Sequence, residues 1–440
     1  MENIRRVGNS TIYVLMVLLL WGVMSFSYAE EVVKVGVIYP LTGGLKATGD
    51  ELKNAIEMTA DIVNNKHPEL APLLLAESGG VKIRRGGKIV NAKIAIEWGN
   101  SEGKVENGAA EVTRLVRDKR VVAILGTWQS AVTRAAATTA AREQVPLLTQ
   151  SVALDLTDPN VMGESLKWFF RPNPSTDDFM EGFLKFLDGV REKKKIEIKR
   201  IGIFFENTLC GQQNTDTTLD LIKKKYKHYE VVAKIGYPHE TSDVVAESLS
   251  LKRANPDVAF NACPYISDSI LFTSTFKEVD FNPKAYYWED AGISSPGYLE
   301  NVKKNAEYFF TRMIYNADFR GRKPLIGKID DLFYKRYKMH MGDNSARAML
   351  KALVLFDAIN RAQSDNPDDI RKALLATDIP EQKTNMIFGV KFDPVTHQNI
   401  LTAGKPAVGQ ILNGEFRTVF PWNFATTELV WPTPPWRERK

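Results

Sequence analysis

The chain is poor in the residue types that carry most protein chemistry. Two cysteines in 440 residues cannot staple a disulfide-dense scaffold, so stability must come mainly from packing. Five histidines (His67, His228, His239, His340, His397) are scattered, with no metal-ligand spacing. The sequence has no G-x-S-x-G, no G-x-x-x-x-G-K-[ST] and no H-E-x-x-H, and no G-x-G-x-x-G follows its first strand-like run. Carboxylates are plentiful, but none form a pair that spacing marks as acid and base. These absences point to binding over chemistry: no catalytic residue, no metal ligand and no cofactor is expected.

The charge balance is mild, at +5, and its densest basic stretches, Lys193 to Lys195 and Lys223 to Lys227, sit beside strand or helix ends. They read as solvated surface, which argues against nucleic acid as a partner. With apolar residues at 44% and charged residues at 25%, the composition is that of an ordinary globular protein. Its length exceeds one comfortable core and favours two domains.

The first 29 residues have a different job. Arg5 and Arg6 precede the apolar run Ile12 to Gly22, and the small residues Ser27 and Ala29 follow at the spacing a signal peptidase reads. The run is too short for a convincing membrane span, and no cysteine follows it to carry a lipid. A signal peptide cleaved after Ala29 is expected, leaving a soluble, exported protein.

Five times a short β-branched, apolar run stops at a small or polar residue and gives way to a helical pattern. The runs are VVKVGVIY before Pro40, VVAILG before Thr127-Trp128-Gln129-Ser130, VPLL before Thr149-Gln150-Ser151, RIGIFF before Glu206-Asn207-Thr208 and DVAFNA before Cys263-Pro264-Tyr265. Parallel strands in an open α/β sheet end this way, and ligands collect beyond their carboxyl ends. Strands are predicted at 32–38, 93–97, 121–125 and 146–148, with helices at 50–64, 108–117 and 131–143 between them. The pattern restarts with strands at 200–205, 229–235, 257–262 and 284–289 and helices at 217–225, 242–254 and 268–278. Amphipathic helices follow at 346–361 and 367–375, the second with Pro367 in its first turn. Residues 66–87 read as a surface insertion, and the Pro- and Trp-rich end, 429–436, as an extended surface segment.

Together, VGVIYPLTGGLKATGDELKNAIEMTADIVN, VVAILGTWQSAVTRAAATTAAREQVPLLTQS, FFRPNPSTDD, IGIFFENTLCG and NPDVAFNACPY resemble the type I periplasmic solute-binding proteins of ABC importers. Within that fold they are most similar to the branched-chain amino-acid (leucine/isoleucine/valine) binding group. The resemblance implies an α/β protein of two Rossmann-like lobes, each a parallel sheet flanked by helices, joined by a three-crossover hinge with the ligand cleft between them. Lobe 1 would comprise 31–165 plus 293–403, and lobe 2 would comprise 166–292 plus 404–440. A monomer free in the periplasm would close on a small solute and deliver it to an ABC permease in the inner membrane.

Site residues follow from the resemblance one by one. Ser130 stands where the family captures the solute's carboxylate; from the residues alone it also precedes a helix, so it is a cap, an anion contact or both. Ser151 and Ala153 occupy the small and hydroxyl positions after the next strand, and Ala153 lacks the hydroxyl. Cys210-Gly211 replaces the family's Tyr-Gly. Tyr265 matches a ligand tyrosine, and Asp290 matches the acidic residue that receives an ammonium group, although a salt bridge or solvation would also explain it. Trp128 and Trp288 sit at strand-end loops, where they line the cleft or belong to the core. Cys210 and Cys263 follow strand ends that a doubly wound order places side by side; whether they are bridged stays open. The solute is then an amino acid of the branched-chain type or a related carboxylate. The rival readings are an aromatic-carboxylate binder of the same transport class, a ligand-sensing module of the same fold, and an exported two-lobed enzyme.

Overall fold

Two sheets organise the chain, each in the order expected of doubly wound α/β units. The structure is a computed structural model that describes residues 30–238, 241–289, 293 and 296–439. The leader, His239 and Asp290 lie outside the described residues.

The first sheet runs β2-β3-β1-β4-β5-β6, with β2 (Val81–Arg85) at its edge. Its centre is β1 (Val32–Tyr39), whose VVKVGVIY is buried along most of its length. β1 pairs in parallel with β3 (Lys88–Asn100), from Val32↔Lys93 to Tyr39↔Asn100, and on its other side with β4 (Ile124–Gly126). β5 (Leu147–Leu148) and β6 (Phe169–Phe170) continue the parallel set. Continuous apolar runs suit strands that helices cover on both faces. The helices here are α1 (Lys46–Asn64), α2 (Val105–Arg117) and α3 (Ser130–Arg142), and α2 packs on α3.

The second sheet runs β15-β14-β11-β10-β9-β7-β8. β7 (Arg200–Glu206), β8 (Glu230–Tyr237), β9 (Val258–Ala262), β10 (Ala285–Glu289) and β11 (Phe310–Met313) are parallel. Its helices include α4 (Thr176–Lys194), α5 (Leu209–Lys224), α6 (Val245–Ala254) and α7 (Ile266–Glu278). A capping box starts α4: Ser175 accepts from the Asp178 N–H, and Asp178 accepts from the Ser175 N–H. The strand order reverses beside β1 and β4 in the first sheet and beside β7 and β9 in the second. At those two switch points a crevice opens beyond the carboxyl ends.

After β11 come α8 (Pro324–Tyr337), α9 (Asp343–Ala362) and α10 (Pro367–Leu375), then a small separate antiparallel pair, β12 (Asp378–Ile379) and β13 (Val390–Lys391). α9 packs on α1 and β2 of the first sheet, and the chain then returns to the second sheet as the hairpin of β14 (Ala407–Leu412) and β15 (Glu415–Phe420). The chain thus passes between the sheets three times. The proposed limits at 165 and 293 fall short of β6 and β11, which hydrogen-bond in the first and second sheets respectively.

Two expectations need correction. Residues 66–87 are not a loose insertion: β2 (Val81–Arg85) pairs antiparallel with β3, and Leu70, Leu73, Ala76, Val81 and Ile83 are buried. Apolar residues at irregular intervals hid that packing from a periodicity test. The segment 429–436 is extended but not superficial. Leu429 and Trp431 are buried, Trp431 lies 5.8 Å from Phe310 between ring centroids, and the Thr433 N–H donates to the Lys284 carbonyl at 2.8 Å.

Candidate functional site

The first wall of the site begins where β4 ends. Gly126 has φ +137°, and a Cβ there would lie 2.4 Å from the Ile38 carbonyl oxygen, so only glycine lets the two central strands approach before the chain turns out. The loop that follows is tied down by hydroxyl groups. Thr127 Oγ1 and Thr133 Oγ1 are 2.7 Å apart, and Ser151 Oγ donates to the Trp128 carbonyl at 2.8 Å. Ser151 therefore spends its hydroxyl on positioning the loop. α3 starts at Ser130, with Gln129 in the extended capping position and no side-chain cap bond. Ser130 is thus the first helical residue and not the cap. Its hydroxyl and the unpaired N–H groups of the first turn suit an anion.

The second wall is built from β7 and β9. Glu206 ends β7, is 1% exposed and accepts from the Thr208 hydroxyl at 3.3 Å. Thr208 in turn caps α5 by accepting from the Gly211 N–H at 3.3 Å. A Cβ on Gly211 would meet the Glu206 carbonyl oxygen at 2.1 Å, so glycine lets the helix start hard against the strand end. Cys210, in the first turn of α5, and Cys263, after β9, form a disulfide with a Cα–Cα distance of 5.9 Å.

Between the walls lies a cavity of about 170 Å³. Trp128, Gln129, Ser130, Gln150, Ser151 and Arg347 line it from one side, and Glu206, Thr208, Cys210, Cys263 and Tyr265 from the other. The walls touch: Gln129 Nε2 donates to the Tyr265 hydroxyl at 3.1 Å, and the Trp128 and Tyr265 rings are 5.6 Å apart. The same aromatic pair borders a second space of about 270 Å³, lined also by Leu45, Thr48, Ile266 and Ile270.

A buried ionic chain stands behind the cavity. Arg347 donates to the Gln150 carbonyl at 3.3 Å and to Asn344 Oδ1 at 2.9 Å, and its Nε lies 3.2 Å from Asp343 Oδ2. Arg312 Nη1 donates to the same Asp343 oxygen at 2.8 Å, and its Nε donates to Glu289 Oε1 at 2.7 Å. Asn214 donates to Glu289 from α5. The chain joins β10, β11 and α9, elements on both sides of a crossover, and its four charged side chains are at most 3% exposed. Asn344 Oδ1 also accepts from Trp128 Nε1 at 3.1 Å, tying the cavity's indole to this network. Nearby, burial pushes the Glu51 carboxyl up to about 7, while the Ser345 N–H donates to it at 3.1 Å.

Of the seven expected site residues that lie among those described, Trp128, Ser130, Ser151, Cys210 and Tyr265 come together around the cavity, and two do not; Asp290, the eighth, lies outside them. Ala153 is fully buried and outside the lining; its carbonyl accepts from Arg171 Nη1 at 2.6 Å. Trp288 is 1% exposed in the core, 5.6 Å from Phe204 and 5.9 Å from Phe309 between ring centroids. β10 is a central strand covered on both faces, so a tryptophan near its end packs under helices instead of facing the crevice. Several polar lining residues escaped the sequence reading, among them Gln129, Gln150, Glu206, Thr208 and Arg347. Gln150 and Glu206 lie at two of the strand-end breaks, a signal that could have found them. Arg347 had no such mark. Among the described residues, no cluster of His, Cys, Asp or Glu is arranged to hold a metal ion.

A cavity walled by the switch-point loops of two doubly wound lobes, with polar groups on both sides, defines a two-lobed solute-binding protein. The chain belongs to the periplasmic binding protein family, whose profile matches residues 32–404. Leu/Ile/Val-binding protein homolog 8 of Brucella suis is 27% identical over 418 residues, covering 92% of this chain and 94% of the relative. Homolog 7 of the same organism is 27% identical over 422 residues, covering 92% and 95%. Among solved structures, the leucine binding protein LivK of Thermotoga maritima superposes with a TM-score of 0.68 at 19% identity, covering 88% of this chain and 97% of that one. The branched-chain amino acid transporter substrate binding protein LivJ of Streptococcus pneumoniae, in complex with isoleucine, gives 0.69 at 16% identity, covering 91% and 100%. These two likenesses show the fold. The relatives are solute-binding proteins, not enzymes, and family membership places the protein in the periplasm.

Proposed function

We propose that the protein is the receptor of an ABC importer for an L-amino acid, which it binds between its lobes and hands to a membrane permease. The observation that carries the reading is the polarity of the cavity: first-lobe donors at the start of α3 face a space that the buried carboxylate Glu206 borders from the second lobe. The α-carboxylate sits on Ser130 and the N–H groups of the first helical turn. The ammonium group sits on Glu206. The side chain lies against Trp128 and Tyr265, which supply aromatic area on both sides of the cleft. A zwitterion that bridges the lobes stabilises the shut form, because it makes both sets of contacts only there. The mature chain begins at Glu30 and works as a monomer, and the names of the Brucella and Streptococcus proteins support an amino-acid ligand.

Glu206→Gln keeps the shape of the side chain and removes the charge opposite the ammonium group. Affinity for the amino acid should fall by about 2 kcal/mol or more, roughly thirtyfold, in a calorimetric titration. Unchanged affinity in a folded Glu206→Gln protein would show that the ammonium group is held elsewhere.

A further inference from the structure

We propose that the space between the starts of α1 and α7 is the outer half of one elongated binding site, and that it takes an aromatic side chain of the solute. The inference rests on the amino-acid reading above and sharpens it to a substrate class: L-amino acids with a phenyl or indole group, in preference to branched-chain ones.

The two spaces meet at one pair of rings. Trp128 and Tyr265 line the cavity that Ser130 and Glu206 border, and they line the second space as well. Polar bonds at their edges hold both rings in place: Trp128 Nε1 donates to Asn344 Oδ1 at 3.1 Å, and the Tyr265 hydroxyl accepts from Gln129 Nε2 at 3.1 Å. The linings also touch beside the rings. Gly103 belongs to the first cavity and Leu45 to the second space, and a Cβ on Gly103 would lie 3.2 Å from Leu45 Cδ1.

Beyond the ring pair the chemistry changes. Leu45, Ala47 and Thr48 stand at the start of α1 on the first-lobe side, and Ile266, Ser267 and Ile270 at the start of α7 on the second. None of the residues lining this space is charged, whereas Glu206 and Arg347 border the first cavity. Leu45, Ile266 and Ile270 are half-buried and line, from opposite lobes, a space of about 270 Å³, larger than the 170 Å³ of the first cavity.

A charged side chain would lose its water there without gaining a partner. A valine or leucine side chain is short: with the α-carbon held between Ser130 and Glu206 it meets the ring pair and leaves the aliphatic walls beyond without contacts. An aromatic group lies against Trp128 and Tyr265 and carries a large apolar area on between the two helices. It has few torsions to fix, where a long aliphatic chain loses more freedom. Because the walls come from both lobes, this burial is complete only in the shut form and favours closure.

Calorimetric titration of the mature protein with phenylalanine, tryptophan and leucine tests the assignment. The wild type should bind phenylalanine at least roughly tenfold more tightly than leucine. Ala47 is exposed at the rim of the space, and Ala47→Trp fills that space from the protein's own side. This variant should bring the phenylalanine and leucine affinities to within about threefold of each other. Ile270→Ala widens the space and should raise the affinity for tryptophan relative to phenylalanine by a similar factor; it decides the matter if Ala47→Trp fails to fold by circular dichroism. Leucine bound by the wild type as tightly as phenylalanine, or a phenylalanine preference that both variants leave unmoved, overturns the assignment and leaves the amino-acid reading intact. If none of the three amino acids binds, the amino-acid reading falls and this inference falls with it.

Discussion

Replacing Arg312 with methionine should destabilise the folded protein by about 3–5 kcal/mol, read as a shift in the midpoint of chemical denaturation. The guanidinium is 2% exposed and divides its donors between Glu289 at 2.7 Å and Asp343 at 2.8 Å. Removing it leaves two buried carboxylates short of their shared cation, and breaking one side of a buried ion pair carries a cost of this size because the partner charge stays desolvated. Arg312→Lys restores the charge but not the planar fork that reaches two carboxylates, so it should recover only part of the loss. The position matters as much as the burial. Glu289 ends β10 of the second sheet, Arg312 lies in β11 at a crossover, and Asp343 opens α9 on the first-sheet side. A loss below about 1 kcal/mol would mean that the chain of charges is not a structural element.

Reducing the Cys210–Cys263 disulfide should cost about 4 kcal/mol of stability, because the bridge closes a loop of 53 residues and removes that freedom from the unfolded chain. Denaturation with and without a thiol reductant measures it. A Cys210→Ser, Cys263→Ser double variant should match the reduced wild type and ignore reductant. The bridge also walls the ligand cavity, so the same variant should bind the solute more weakly. Equal stability of the oxidised and reduced proteins would contradict the entropic account.

Strand-end punctuation was the most legible part of the sequence. VVKVGVIY, VVAILG, RIGIFF and DVAFNA all fall in or against central parallel strands, where burial on both faces demands continuous apolar runs, and the loops that follow supply most of the cavity. What escaped has physical reasons. The hairpin Ala407–Leu412 and Glu415–Phe420 is too short and mixed to separate from a turn-rich tail by periodicity. Helix α5 begins at Leu209, well before the expected 217, because its start is fixed by the Thr208 cap and by the close approach at Gly211, not by an apolar stripe. Trp288 was placed in a strand-end loop on chain position alone. Period-2 geometry puts it against Phe204 and Phe309 on one buried face of the strand, while its neighbour Glu289 meets Arg312 on the other. Arg347 sits within a helix whose residues are nearly all buried, and nothing local marks an arginine there as a cavity residue until α9 is seen to pack behind Gln150.

The central claim is that one cavity holds a zwitterion by both ends. The most direct measurement is a calorimetric titration of the mature protein with a bound L-amino acid, its des-amino acid and its des-carboxy amine. Saturable binding of one amino acid per chain is expected, with each truncated analogue weaker by roughly thirtyfold or more, since each leaves Glu206 or the α3 N-terminus facing an empty buried position. Equal affinity for the amino acid and its des-amino analogue would contradict the account and return the site to a simple carboxylate receptor.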